Sequence, residues 1–226
     1  MRYTPLLPAL LATLAASASA QVTTVDEGRF LISRGGQRVG SEDFAIRRTP
    51  GPGGGTLVAN GAVTYDDHRL APALRTDGAG APMAYQVTVQ VGSEVQERLS
   101  GQIGRGRFSA RMQTPRGESA KEYIVADGAV VLDDEVFHQY YFVGRGEQAG
   151  SLAVVIPRRS AQVTMRVHAA GAEQLSIGGV SVSTRRLVLT EPGGASRQVW
   201  LDTNGRVLKV ALDGSGVVAI RDEVPR

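Results

Sequence analysis

The chain of 226 residues contains no cysteine, one tryptophan and three histidines. The absence of cysteine excludes disulfide bonds, thiolate catalysis, thiolate metal sites and a lipid anchor on an N-terminal cysteine. Lysine is also scarce, since only Lys121 and Lys209 occur and the other basic residues are arginines. The 25 basic and 22 acidic residues give a net charge of +3, a balance that predicts no nucleic-acid partner.

Long apolar runs are missing too, apart from one stretch at the start of the chain. Arg2, the apolar residues 6–16 and the small residues Ala18-Ser19-Ala20 form the three parts of a cleavable secretory signal peptide. The apolar part is shorter than the roughly 20 residues that cross a bilayer, and no later stretch reaches that length. We therefore expect a signal peptide at residues 1–20 and an exported protein, periplasmic or extracellular, without a transmembrane segment. A short N-terminal membrane anchor is the alternative.

Alternation of apolar and polar residues dominates the rest of the chain. Residues 85–91, 107–113, 161–168 and 208–212 each carry apolar side chains at every second position. Such runs are typical of strands with one buried and one exposed face, as in an antiparallel sheet. The sequence therefore predicts a single, mainly antiparallel all-β domain over residues 21–226.

Turn signals separate the predicted strands. Gly35-Gly36, Gly104-Arg105-Gly106, Asp127-Gly128, Asn204-Gly205 and Asp213-Gly214 fall between the alternating runs. Asn-Gly and Asp-Gly supply the positive φ angles of type I′ turns, so these pairs predict hairpins. About 12 strands in meander order follow from this spacing. A sheet of that size with one apolar face is expected to curve into a half-barrel or close into a barrel.

Residues 133–142 interrupt the alternation and predict one short helix. An aspartate at 133 or 134 is a suitable N-cap, and Glu135 in the first turn suits the helix dipole. One face of this helix is aromatic and carries Phe137, Tyr140 and Tyr141. In a barrel or half-barrel, such a helix either fills the concave side or covers one end.

No residue pattern in the chain points to catalysis. There is no G-x-S-x-G motif, and the paired acids at 133–134 are explained by helix capping. His68, His138 and His168 could form a metal site only if at least two of them meet near the acids at 66, 67 or 135. We therefore assign no catalytic residue, no metal site and no cofactor, and favour a protein that is not an enzyme.

Several stretches together resemble a group of uncharacterised, β-rich bacterial secreted proteins. They are residues 30–40 (FLISRGGQRVG), residues 132–140 (LDDEVFHQY) and the pair 199–202 (VWLD) and 205–210 (GRVLKV). That group is similar in layout to the periplasmic lipoprotein carriers (LolA/LolB-like), in which a curved antiparallel sheet wraps around helices and holds acyl chains. The resemblance implies a half-barrel fold, and no functional residue of a carrier maps onto this chain.

Three functional hypotheses remain open. In the first, an exported bacterial protein binds a lipid or other apolar ligand inside its curved sheet, with a pocket lined by Phe137, Tyr140, Tyr141 and Trp200. In the second, the protein is a structural or interaction module of the cell envelope, with a filled core and a protein partner. In the third, it is a hydrolase or metal-dependent enzyme that uses the histidines. An internal void of several hundred Å³ would favour the first hypothesis.

Overall fold

The computed structural model describes residues 21–145 and 149–226, whose strands form one 15-stranded sheet. The predicted signal peptide, residues 1–20, lies outside the described residues. The strands are β1 (Thr23–Arg34), β2 (Gln37–Thr49), β3 (Thr56–Tyr65), β4 (Arg69–Asp77), β5 (Pro82–Val91), β6 (Glu94–Gly104), β7 (Arg107–Thr114), β8 (Gly117–Ile124), β9 (Val130–Val131), β10 (Gly150–Ile156), β11 (Ala161–Ile177), β12 (Val180–Thr190), β13 (Ser196–Leu201), β14 (Val207–Leu212) and β15 (Val217–Arg221).

The order across the sheet is β8-β7-β6-β5-β4-β3-β2-β1-β15-β14-β13-β12-β11-β10-β9. Strands adjacent in this order pair antiparallel, except that β9 pairs with β10 in parallel. The sheet is not closed, and β8 and β9 form its edges. The mainly antiparallel all-β meander predicted from the sequence is confirmed, with more strands than the expected 12 or so.

The alternation expected from the sequence places the core. In β5, Tyr85 and Val87 are buried while Gln86 is exposed, and Phe30 and Ile32 are buried in β1 in the same manner. A 3₁₀ helix, His138–Arg145, contacts both β3 and β14. The turn at residues 157–159, after β10, contacts β6, although β6 and β10 lie eleven steps apart in the sheet, about 50 Å if the sheet were flat. The sheet is therefore strongly curved, and the helix lies on its concave side.

The predicted aromatic helix is present, but its start and type differ from the prediction. It is a 3₁₀ helix that begins at His138, and residues 133–137 before it are irregular. The Asp133 side chain accepts hydrogen bonds from Tyr85 and Arg158, which lie outside the helix. The prediction that Asp133 or Asp134 caps the helix was therefore wrong, because Asp134 also bonds outside the helix, to Arg159. No helix among the described residues is long and apolar enough to cross a bilayer.

The hairpin predicted at Asp127-Gly128 was also wrong, although a turn does occur there. The strands on either side, β8 and β9, lie at opposite edges of the sheet. Residues 125–129 instead lead the chain from one edge to the other. Positive φ angles identify a turn, but they do not determine which strands pair.

A β-bulge in β14 changes the facing of one predicted core residue. Trp200 pairs with Lys209 and Leu201 pairs with Val207, so Leu208 is an extra residue in the ladder. Val207 and Val210 therefore face the concave side, whereas Leu208 faces outward. The prediction that Leu208, Val210 and Leu212 share one face was wrong for Leu208. On the outward side Leu208 joins a small second cluster with Leu175, Ile177 and Trp200.

Candidate functional site

Residues 132–143, which we call the central segment, fill the concave side of the sheet. Phe137 is 1 % exposed, Tyr140 2 % and Tyr141 4 %. They belong to one continuous cluster with core-facing residues of both halves of the sheet. The structure thus brings together three of the four residues predicted to line a pocket, as side chains of a packed core.

Trp200, the fourth predicted pocket residue, lies on the other face of the sheet. Its Nε1 donates to Glu173 Oε2 at 3.0 Å, and Lys209 Nζ lies 4.3 Å from the centre of its ring. With its neighbours Leu175 and Leu208 it belongs to the outer cluster. Trp200 and the aromatic residues of the central segment therefore do not share one pocket.

A buried acid attaches the central segment to the wall of the half-barrel. Glu42, on β2, accepts a hydrogen bond from His138 Nδ1 at 2.5 Å and others from the backbone amides of Phe137 (2.8 Å) and His138 (3.2 Å). The side chains of Glu42 and His138 are fully buried, and the His138 ring stacks on Phe44 with centroids 5.7 Å apart. These contacts fix where the 3₁₀ helix begins on the wall.

A second buried acid, Asp133, holds the other end of the central segment. Tyr85 donates its hydroxyl to Asp133 Oδ2 at 2.7 Å, and Arg158 Nε donates to the same oxygen at 3.1 Å. The Asp133 backbone amide in turn donates to the Gln139 side chain at 2.7 Å. Burial raises the pKa of the Asp133 carboxyl above its ordinary value, and the Arg158 charge and the Tyr85 hydrogen bond oppose that rise.

One end of the half-barrel, which we call the mouth, gathers charged side chains around the central segment. The β1–β2, β3–β4, β10–β11, β12–β13 and β14–β15 turns all lie at this end, because the strands alternate in direction. From the β10–β11 turn, Arg159 donates to both carboxylate oxygens of Asp134 at 2.6 and 2.8 Å. From the β3–β4 turn, His68 Nε2 lies 3.3 Å from Glu135 Oε1.

Glu135 has an unusual backbone conformation at the mouth. Its φ is 65°, in the left-handed region that L-residues seldom adopt, at a cost of about 1–2 kcal/mol. Arg158 donates to its carboxylate at 3.2 Å and also to the carbonyl of Asp134. The contacts of Arg158 and His68 hold the strained turn in place, so the edge of the mouth is a defined surface.

Two openings flank the turn at the mouth. One is about 400 Å³ and is lined by Arg34, Tyr65, Arg158 and Val217, and the other is about 240 Å³ and is lined by Tyr140, Glu191 and Arg197. The residues that line both are Asp134, Glu135, Phe137, Arg159, Leu212 and Ser215. Each opening therefore combines an apolar floor with a rim of arginines and carboxylates.

A larger cleft of about 590 Å³ lies at the opposite end, between the start of β1 and the C-terminal residues. Its buried arginine, Arg221, donates to the carbonyls of Val207 (2.7 Å) and Glu27 (2.9 Å) and pairs with Asp26. Burial raises the pKa of the Asp26 carboxyl against the opposing charge of Arg221. Since these groups already satisfy one another, the cleft offers a ligand fewer free polar groups than its size suggests.

The three histidines have separate partners. His68 contacts Asp67 (2.6 Å) and Glu135, His138 is buried against Glu42, and His168 is exposed on β11. Over the described ranges, 21–145 and 149–226, no group of three histidine or acidic side chains is arranged to hold a metal ion. Within the described residues, the structure therefore adds no cluster of metal-binding side chains to the enzyme hypothesis, which is left with the single histidine at the mouth.

Neither the role of Glu42 nor the bonding of Arg158 to Asp133 was predicted from the sequence. Glu42 shares its alternation phase with Phe44 and Ile46, so the strand pattern by itself places this acid on the core face. An acid in that phase was a signal of a buried partner. Arg158 gave no comparable signal, because its role depends on the turn after β10 lying beside the central segment.

The curved sheet and its filled concave side define a barrel-like all-β protein. The chain is similar to a β-barrel-like protein of domain of unknown function DUF1849 from Brucella abortus, with a TM-score of 0.57 and 10 % identity over 86 % of this chain and 93 % of that one. A DUF1089 family protein from Pseudomonas aeruginosa gives a TM-score of 0.40 at 13 % identity, over 90 % and 95 % of the two chains. No family model and no curated protein matches the chain.

The first likeness agrees with the expectation of a β-rich protein of uncharacterised type. At 10 % identity the first likeness shows the fold alone. At a TM-score of 0.40 the second structure differs too much from this chain to support even the fold. Neither protein is described as a lipoprotein carrier, so the resemblance to the carriers stays a prediction.

Proposed function

We propose that this chain is an exported protein that binds a small amphiphilic ligand, such as a fatty acid, at the mouth. The observation that carries the proposal is the pairing of an apolar floor with an arginine rim in the two openings. Phe137, Leu212 and Val217 offer the floor, and Arg34 and Arg159 stand at the rim. The first hypothesis placed the ligand inside the sheet, but the central segment occupies that space, so the site we propose lies at its end.

The charges at the rim favour an acidic head group. Arg158 and Arg159 are paired with carboxylates of the turn, whereas Arg34 is exposed and lies within 4.0 Å of no carboxylate in the described part of the chain. An exposed arginine beside an apolar floor can donate two parallel hydrogen bonds to a carboxylate or phosphate. Apolar burial of about 25 cal/mol per Å² would add to these head-group contacts.

Native mass spectrometry of the purified protein, followed by uptake of a fluorescent fatty acid, tests this proposal. Ser215→Trp should reduce uptake without changing stability, because Ser215 is exposed and lines both openings. Ser93→Trp is the matched control, because this exposed serine lies in the β5–β6 turn at the same end of the sheet but lines neither opening. The methyl ester of the same fatty acid should bind more weakly, and Arg34→Gln should abolish that difference. Uptake that is equal in both serine variants would refute the site.

A second candidate function is an envelope interaction module with a filled core. The burial of Phe137, Tyr140 and Tyr141 favours it, because these side chains stabilise the fold whether or not a ligand is present. An empty protein that takes up no fatty acid would support this candidate. Export is tested separately by cell fractionation and N-terminal sequencing, with a mature chain expected to begin at Gln21.

A further inference from the structure

The outward face of β2–β6 carries an excess of positive charge. The exposed arginines on it include Arg47, Arg69, Arg75 and Arg98, and none of these four has a carboxylate within 4.0 Å among the residues that the structure describes. The acid on this face of β2, Asp43, is already paired with Arg29 at 2.7 Å. Beyond this area, on β7 and β8, Arg107 and Arg111 are paired with Glu122 and Glu118. We call the area with the four arginines the arginine face.

The strand register gives the arrangement of these charges. Arg47 and Arg75 both pair with Val58 from opposite sides, so they lie two strands apart, about 10 Å. Arg69 and Arg75 lie on one strand, six residues or about 20 Å apart. Arg98 lies two strands from β4, because Thr88 pairs with both Ala71 and Arg98. The arginines therefore mark the corners of an area, and they do not follow a line.

Short side chains lie between the arginines. Ala71, Ala73 and Ser100 line a shallow depression of about 310 Å³, with Arg98 and Arg111 at its rim. The outward positions of the described strands here are alanine, serine, threonine, glutamine, asparagine, valine, aspartate and arginine, with no aromatic side chain. Single-stranded nucleic acids are held by stacking on aromatic rings, which this face does not offer.

From this arrangement we infer that the arginine face docks the protein on an anionic phospholipid surface, with headgroup phosphates at the arginines. A two-dimensional array of phosphates can reach arginines on different strands, whereas an extended polyanion meets two of them along one line. Arg69 and Arg75 lie on one strand, so the curvature across the strands does not separate these two from a flat surface. This surface is separate from the mouth and does not depend on ligand binding there.

Co-sedimentation of the purified protein with vesicles tests the inference. Binding is expected to vesicles of phosphatidylglycerol and phosphatidylcholine and not to phosphatidylcholine alone. It should disappear at about 1 M salt, where the screening length is ~3 Å. Each basic residue near an anionic membrane contributes about five-fold in binding. The triple variant Arg69→Gln, Arg75→Gln, Arg98→Gln should therefore bind roughly 100-fold more weakly.

A matched control distinguishes binding through the arginine face from binding through overall charge. Arg116, Arg166 and Arg226 are exposed and lie outside the arginine face, so their replacement by glutamine removes the same charge from other surfaces. This control variant should bind almost as well as the unaltered protein. The inference is overturned if both triple variants lose binding equally, if the unaltered protein ignores anionic vesicles at low salt, or if it binds a soluble polyanion such as dextran sulfate but not vesicles.

Discussion

Replacing Gly61 with alanine tests how tightly the central segment is packed against the wall. Gly61 occupies a core-facing position of β3, in phase with Ala59 and Val63. A Cβ at this position would lie 2.8 Å from His138 Cε1 and 3.1 Å from both His138 Nδ1 and Pro72 Cγ. The His138 ring cannot move aside easily, because it is fully buried, bonded to Glu42 and stacked on Phe44.

Two effects of opposite sign compete in Gly61→Ala. Alanine in a strand is favoured over glycine by about 0.5–1 kcal/mol. Inserting a methyl group into a packed core costs about 1–3 kcal/mol. We expect the clash to win, with a net loss of about 1–2 kcal/mol and a fall in Tm of about 2–8 °C for a chain of this size. Urea unfolding followed by circular dichroism measures the loss.

Two further variants test whether contact with His138 causes the loss of stability in Gly61→Ala. Gly104→Ala, at the end of β6, places its Cβ in open space and should be neutral or stabilising. His138→Asn keeps a donor where Nδ1 stands but removes Cε1, so Gly61→Ala should cost much less in that background. If Gly61→Ala raises stability as Gly104→Ala does, or if its cost is the same in the His138→Asn background, the packing of His138 against β3 is refuted.

Three other outcomes follow from the site. Because burial raises the folded-state pKa of Asp133 above its ordinary 3.8, its contribution to stability is largest below that value and is lost as the pH rises through the folded pKa. The free energy of unfolding of the unaltered protein, relative to that of Asp133→Asn, should therefore increase as the pH falls from about 7 to about 4; a flat difference in urea titrations would contradict this. Trp200 is the sole tryptophan, faces the outer side of the sheet and lines neither opening, so its emission should not shift on fatty-acid uptake, and a shift would place the ligand elsewhere. Phe137→Ala should cost about 3–5 kcal/mol in thermal unfolding whether or not ligand is present, and a loss confined to the ligand-bound protein would argue against its core role.

The strands were predictable because their alternation is local. Residues 107–113 form β7 as the pattern indicates, and Phe108 is fully buried in it. The number of strands and the hairpin at Asp127-Gly128 were harder to predict, since pairing depends on contacts between residues distant in sequence. The bulge at Leu208 shows the same difficulty, because one extra residue reverses the facing of its neighbours and period-2 patterns do not reveal it.

The candidate site was less accessible to sequence analysis than the fold. Val199, Trp200 and Leu201 are consecutive apolar residues, and such a run does not indicate which residue faces which side of the sheet. Val199 and Leu201 face the core while Trp200 faces outward, which separates Trp200 from the aromatic residues it was grouped with. These residues were grouped because all of them are aromatic. Only the strand register shows that Trp200 faces the other side of the sheet.

Polar residues at core-facing positions can distinguish a ligand pocket from a packed core, whereas the aromatic residues cannot. Phe137 and Tyr140 would be buried in either a ligand pocket or a core, so their presence does not distinguish the two. Glu42 does distinguish them, because a carboxylate on a core face needs donors that the strand itself does not supply. Its donors are the backbone and side chain of the central segment, at 2.5 to 3.2 Å. A segment bonded in this manner from inside the sheet is part of the fold, and a ligand is then expected at the end of the half-barrel, where arginines and apolar side chains still meet solvent.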